Sequence, residues 1–178
     1  PPLALGNLEP VAIRIAAMPG NPAPRLKDKA VVLFAADHHI ADHGLSLTST
    51  DVTYIQTRNF LQGGGTINAF TRNAGARLSV VDVGVNYDFG DLPGLVKRKV
   101  MHGANDFSKE PAMTREQALE CLQVGIDMAR EEKNTGLDIV AAGEMGIGKT
   151  TPSSAIVAVL RGTPVETVTG RGSGVRGE

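Results

Sequence analysis

Three continuous apolar runs, VVLFAAD (31–37), LSVVDVGV (78–85) and LDIVAAG (137–143), restrict the folds open to this chain. A strand with one face in water alternates apolar and polar residues, whereas a strand covered on both faces has no polar side to show. Runs of seven or eight residues that carry Asp or Gly at their ends therefore predict buried parallel strands. Parallel strands need long crossovers, and the residues between these runs carry helical spacing, so the class is α/β: a mostly parallel sheet with flanking helices. In such sheets ligands sit beyond the carboxyl ends of the strands. Asp37 and its following loop, Gly84, the Gly143 loop and a further loop from Gly170 are expected along that one edge.

The helices are marked unequally. Segment 51–76 has apolar spacing at Val52, Ile55 and Phe60, then at Ile67 and Phe70, broken by Gly63-Gly64-Gly65; it predicts two helices meeting at the triplet. Thr114-Arg115-Glu116-Gln117 is a capping box, after which Ala118, Leu122, Ile126 and Ala129 line one face until a stop near 134–136. SSAIVAVL (153–160) suits a buried helix, and ETVTG (166–170) a short strand entering the last glycine loop. GNPAPRLKDK (20–29) reads as a linker between an N-terminal helix and the first strand. The reading is one α/β domain over 1–178, with 1–29 belonging to an incomplete small domain. The opening Pro1-Pro2 and the closing GRGSGVRGE suggest the core of a longer chain.

Composition narrows the function. Aromatics make up 4% with no Trp while Gly reaches 21 residues, so the core must be aliphatic and many backbone positions are turns or close approaches. A net charge of −1 with pI near 6.5 argues against nucleic-acid or membrane-surface partners, which need a basic patch. The lone Cys121 allows no internal disulfide, fits a reducing compartment and reads as a small core residue. No apolar run reaches membrane-spanning length and no signal peptide opens the chain, so the expected location is cytoplasmic.

Two stretches invite chemistry they do not support. GEMGIGKTT (143–151) matches the phosphate-loop pattern G-x-x-x-x-G-K-[ST] between a strand and a helix. A nucleotide hydrolase would also need a carboxylate on a second strand for Mg²⁺; no apolar strand ending in Asp follows Thr151, and Asp37 or Asp82 would serve only in an unusual order. Phosphate binding survives that objection better than triphosphate hydrolysis does. ADHHIADH (36–43) resembles the metal signature of the DHH phosphoesterases, but the earlier His and Asp-x-Asp pair that family needs are missing, so no metal site is assigned. Glu144, a single carboxylate within the glycine loop, is expected to face the ligand edge.

Taken together, ADH (36–38), Asp42, Gly44, the helix with Gln56, GGGTIN (63–68), VVDVGV (80–85), GEMGIGKTTPSSA (143–155) and GRGSG (170–174) resemble one family along the whole chain. It is the nicotinate-nucleotide–dimethylbenzimidazole phosphoribosyltransferases, on a Rossmann-like domain. PPLALGNLE (1–9) is also similar to that family's opening segment, without its Lys.

The resemblance implies nicotinate mononucleotide and a benzimidazole base as substrates, α-ribazole 5′-phosphate for the cobalamin lower ligand as product, no metal or cofactor, and a homodimer. It places Thr48 and Gln56 at the base, and Glu144 and Met145 against the substrates. Gly146, Ile147, Gly148, Lys149, Thr150 and Thr151, with Gly170, Gly172 and Gly174, fall at the ribose phosphate. Glu144 is the candidate catalytic residue, because the family's general base is a Glu near the C-terminus of considerably longer chains. Lys149 stands where the family usually has Asn, and His39 where it has Gly. The alternatives are a catalytically inactive nucleotide-binding relative and a metal-dependent or phosphate-loop phosphohydrolase.

Overall fold

The computed structural model describes residues 4–172. Its elements run α1 (Leu8–Ala17), β1 (Lys29–Ala36), α2 (Val52–Leu61), α3 (Thr66–Ala74), β2 (Ala76–Gly84), β3 (Leu95–Lys97), α4 (Arg115–Asn134), β4 (Ile139–Met145), α5 (Thr150–Arg161) and α6 (Val165–Val168), with a 3-10 turn at His39–His43. The four strands form one parallel sheet in the order β3-β2-β1-β4. The α/β class stands as expected and all three apolar runs form strands, but β4 is not the buried strand its run predicted. Ile139 and Val140 are both exposed, because no element among the described residues covers them. The short edge strand β3 had no signal of its own.

Covering on both faces explains the unbroken apolar runs of β1 and β2. Val32 and Val81 point to one face, where α4 lays Val124 and Met128. Leu33 and Val80, one residue out of phase, point to the other with Leu95, Phe60 and Ile67. Period two therefore sends neighbouring residues into different apolar clusters. The helix pair α2–α3 turns tightly because Asn68 Oδ1 accepts from the Gly65 N–H (2.9 Å) and Asn68 Nδ2 donates to the Phe60 carbonyl (2.8 Å). A side chain at Gly65 would enter the Phe60 ring.

Three details differ from the sequence reading. The buried face of α4 is Val124, Met128 and Glu132, whereas Leu122 is 67% exposed. Glu132 turns inward because β2 offers it partners: Ser79 Oγ donates to it at 2.6 Å and Arg77 Nη2 at 3.0 Å. Segment 166–170 is no strand. Pro164 starts the short helix α6, with the Thr167 N–H donating to the Pro164 carbonyl (3.0 Å) and the Thr169 N–H to Val165 (2.9 Å). Finally, α5 is a helix but none of its residues is buried.

Candidate substrate-binding site

The ends of β1, β2 and β4 meet through backbone contacts. The Asp37 N–H donates to the Gly84 carbonyl (3.0 Å), and Asp37 Oδ2 accepts from the Asn86 N–H (2.8 Å). Asp37 is buried, and its Oδ1 has no partner among the described residues. On β2, Asp82 Oδ1 accepts from the Val85 N–H (2.9 Å) while Oδ2 pairs with Lys99 Nζ (3.2 Å). Lys99 also donates to the carbonyls of Val85 and Tyr87. Asp82 thus clamps the loop after its own strand and does not face the glycine loop.

The loop after β4 packs closely onto this edge. Gly146 lies against the Ala36 carbonyl, so a side chain there would displace the strand end. Gly148 has φ +81° and approaches Ala41 where a Cβ would lie 2.6 Å from the alanine methyl, so both conformation and space require glycine. Thr53, fully buried on α2, accepts the Ile147 N–H on its Oγ1 (3.1 Å) and ties helix to loop. The Lys149 and Thr151 N–H groups donate to Gly146 and Gly148. Those of Gly148 and Thr150 donate to no acceptor among the described residues. Unsatisfied N–H groups at a helix start, with the positive end of its dipole, make an anion cradle.

That cradle opens into a cleft of about 320 Å³, lined by Met145 to Thr150 together with Ser46 and Gly172. Six of the expected residues (Met145, Gly146, Ile147, Gly148, Lys149 and Thr150) are therefore brought together, and Gly172 reaches them from α6's far end. Glu144 is 61% exposed at the cleft's border, where its Oε1 pairs with Lys149 Nζ at 2.6 Å.

Other expected residues fall apart from the cleft. Thr48 is exposed, with its N–H and Oγ1 on Ser46 Oγ (3.2 and 3.1 Å). Gln56 accepts from Asn59 Nδ2 (3.0 Å) and lines a separate hollow on α2 with Ile55 and Arg58. Thr151 is half-buried within the first turn of α5 and Gly170 is exposed. Gly174 lies outside the described residues.

Next to the cleft, Asp37, His38, His39, Asp42, Tyr54 and Asn86 surround a polar cavity of about 180 Å³. Burial, the largest influence, holds the His38 pKa below the ordinary histidine value, against the pull of Asp37 and Glu144. His39 turns toward the 102–103 loop, its Nε2 3.3 Å from the His102 carbonyl and its Nδ1 3.3 Å from Asp42. His43 Nε2 lies 2.8 Å from Asp106 Oδ2. These side chains diverge, and no three His, Cys, Asp or Glu among the described residues group as metal ligands. Ser46 and Thr53 were missed from sequence. A Thr on the inner face of an apolar helix was the available signal for Thr53; Ser46 had none.

Fold and loop together define a parallel α/β protein with a glycine loop packed on the carboxyl edge of its sheet. The chain belongs to the phosphoribosyltransferase family: the model described as "Phosphoribosyltransferase" matches residues 1–178. The nicotinate-nucleotide–dimethylbenzimidazole phosphoribosyltransferase of Geobacter sulfurreducens is 50% identical over 175 residues, 98% of this chain and 50% of that protein. Its namesake from Chloroflexus aggregans is 48% identical over 172 residues, 97% of this chain and 49% of that one. The crystal structure of CobT from Thermus thermophilus superposes with a TM-score of 0.94 at 46% identity, covering 99% of this chain and 53% of its own. The chain spans about half the length of the curated relatives it matches.

Proposed function

We propose that the protein transfers the 5-phosphoribosyl group of nicotinate mononucleotide to 5,6-dimethylbenzimidazole or a related base, giving α-ribazole 5′-phosphate and nicotinate. The observation that carries the reading is the pair of N–H groups at Gly148 and Thr150 that have no acceptor among the described residues, beside Lys149 in a cleft of about 320 Å³. The names of relatives near 50% identity support the same substrates.

The chemistry suits so sparse a site. In nicotinate mononucleotide the ring nitrogen is a pyridinium. When its bond to C1′ breaks, the electron pair returns to nitrogen and cancels the positive charge, so the leaving group needs no acid. The lone pair of the benzimidazole nitrogen forms the new bond from the opposite face, which converts a β-linkage to an α-linkage. The N–H proton of the base then goes to a carboxylate. Most of the work is orientation of two substrates, which the phosphate grip supplies. In this reading Glu144, at the border of the cleft, accepts that N–H, and Thr48 with Gln56 contacts the base once it is bound. The working form is a cytoplasmic homodimer. No helix among the described residues is long and apolar enough to cross a membrane.

The test is incubation of the protein with nicotinate mononucleotide and 5,6-dimethylbenzimidazole, followed by chromatography and mass detection. Formation of α-ribazole 5′-phosphate with equimolar nicotinate is expected. Binding of both compounds without product would point to the inactive relative. Phosphate release from ATP·Mg²⁺, with indifference to the pyridine nucleotide, would contradict the reading.

A further inference from the structure

The ion pair between Lys149 and Glu144 joins two parts of the site that the reaction uses separately. Lys149 is the residue just before α5, at the anion cradle, and Glu144 lies at the end of β4, two residues before the loop. Their charged atoms are 2.6 Å apart, with side chains 34% and 61% exposed. An ion pair this open to water is weakly held. A phosphate monoester carries nearly two negative charges and would arrive beside the unsatisfied N–H groups of Gly148 and Thr150. Lys149 reaches the same space on a flexible four-carbon stem. The dianion is the stronger partner.

We propose that Lys149 is a positioning residue with two stations: Glu144, as seen here, and the phosphate of the bound mononucleotide. Its transfer leaves Glu144 as an unpaired carboxylate close to a second anion, an arrangement that repels itself until a hydrogen-bond donor arrives. The ring N–H of the incoming base is that donor. Occupancy of the phosphate site therefore raises affinity for the base, and the reverse holds by linkage. Lys149 thus couples the phosphate site to the base site. This inference rests on the mononucleotide reading of the cleft.

The test uses ribose 5-phosphate, which carries the phosphate but no leaving group, and 5,6-dimethylbenzimidazole, titrated singly and together by calorimetry. In the unaltered protein, saturating ribose 5-phosphate should tighten the base about tenfold, within the usual range for coupled sites. Lys149→Gln should weaken ribose 5-phosphate about tenfold, the size of one charged contact, and reduce the coupling below about twofold. Lys149→Arg should restore both. Glu144→Gln should bind ribose 5-phosphate a few-fold more tightly, because Lys149 is no longer shared, while losing the coupling. A merely structural Lys149 would not produce those opposite signs, and the melting temperatures of the variants check that each is folded. Unchanged coupling in Lys149→Gln, or weaker ribose 5-phosphate binding in Glu144→Gln, would overturn the inference. If the unaltered protein bound no ribose 5-phosphate, the mononucleotide reading itself would fail, and the two-station role with it.

Discussion

The centre of the sheet and its β4 side are built from the same kinds of residue and live in different surroundings. On β1 and β2, Val32 and Val81 are buried beneath Val124 and Met128 of α4, and Val80 is buried on the opposite face against Phe60 and Ile67. On the other side, Ile139 and Val140 of β4 point to opposite faces and both are exposed; on α5 Leu160 is 79% exposed. An apolar run thus records that burial is wanted and leaves open what supplies it. Between the two regions lies the glycine loop, anchored to the covered side by Thr53 and opening toward the uncovered one. Among the described residues nothing covers the exposed apolar surface on β4 and α5.

The contrast can be broken by mutation. Val81→Asp places a charge with no partner in the covered centre and should cost more than about 4 kcal/mol, read as loss of the folding transition or of soluble protein. Next comes Asp82→Ala, which strands Lys99 beside two carbonyls and frees the Val85 N–H; about 3 kcal/mol is expected in urea unfolding. Thr53→Val tests the joint between regions. It leaves the Ile147 N–H unsatisfied, so a loss of about 1–2 kcal/mol should accompany weaker nicotinate mononucleotide binding. Leu160→Ser should change stability by less than about 0.5 kcal/mol in residues 1–178 taken alone. A large loss there would mean that α5 is covered after all, and the two regions would no longer differ.

How much of this was legible in the sequence follows from how local each signal is. The apolar strands, the Thr114 capping box and the Gly63–Gly65 joint depend on neighbours in the chain, and all appear where expected. The register of α4 did not, because Glu132 is drawn inward by Arg77 and Ser79, more than fifty residues away. Likewise ETVTG has the β-branched residues of a strand, but Pro164 and the packing of Ser154 Oγ on the Val168 carbonyl (3.0 Å) set it as a helical turn. At the site, the glycine motif was readable since close backbone approach leaves glycine little substitute. The pairing of Glu144 with Lys149 was not: nothing in their spacing says that two side chains five residues apart, one on a strand and one on a helix start, will meet.

A crystal structure with nicotinate mononucleotide tests the account most directly. The phosphate should lie within hydrogen-bond distance of the Gly148 and Thr150 N–H groups, with Lys149 Nζ moved onto it from Glu144. A phosphate bound elsewhere, with that cradle untouched at full ligand occupancy, would contradict it.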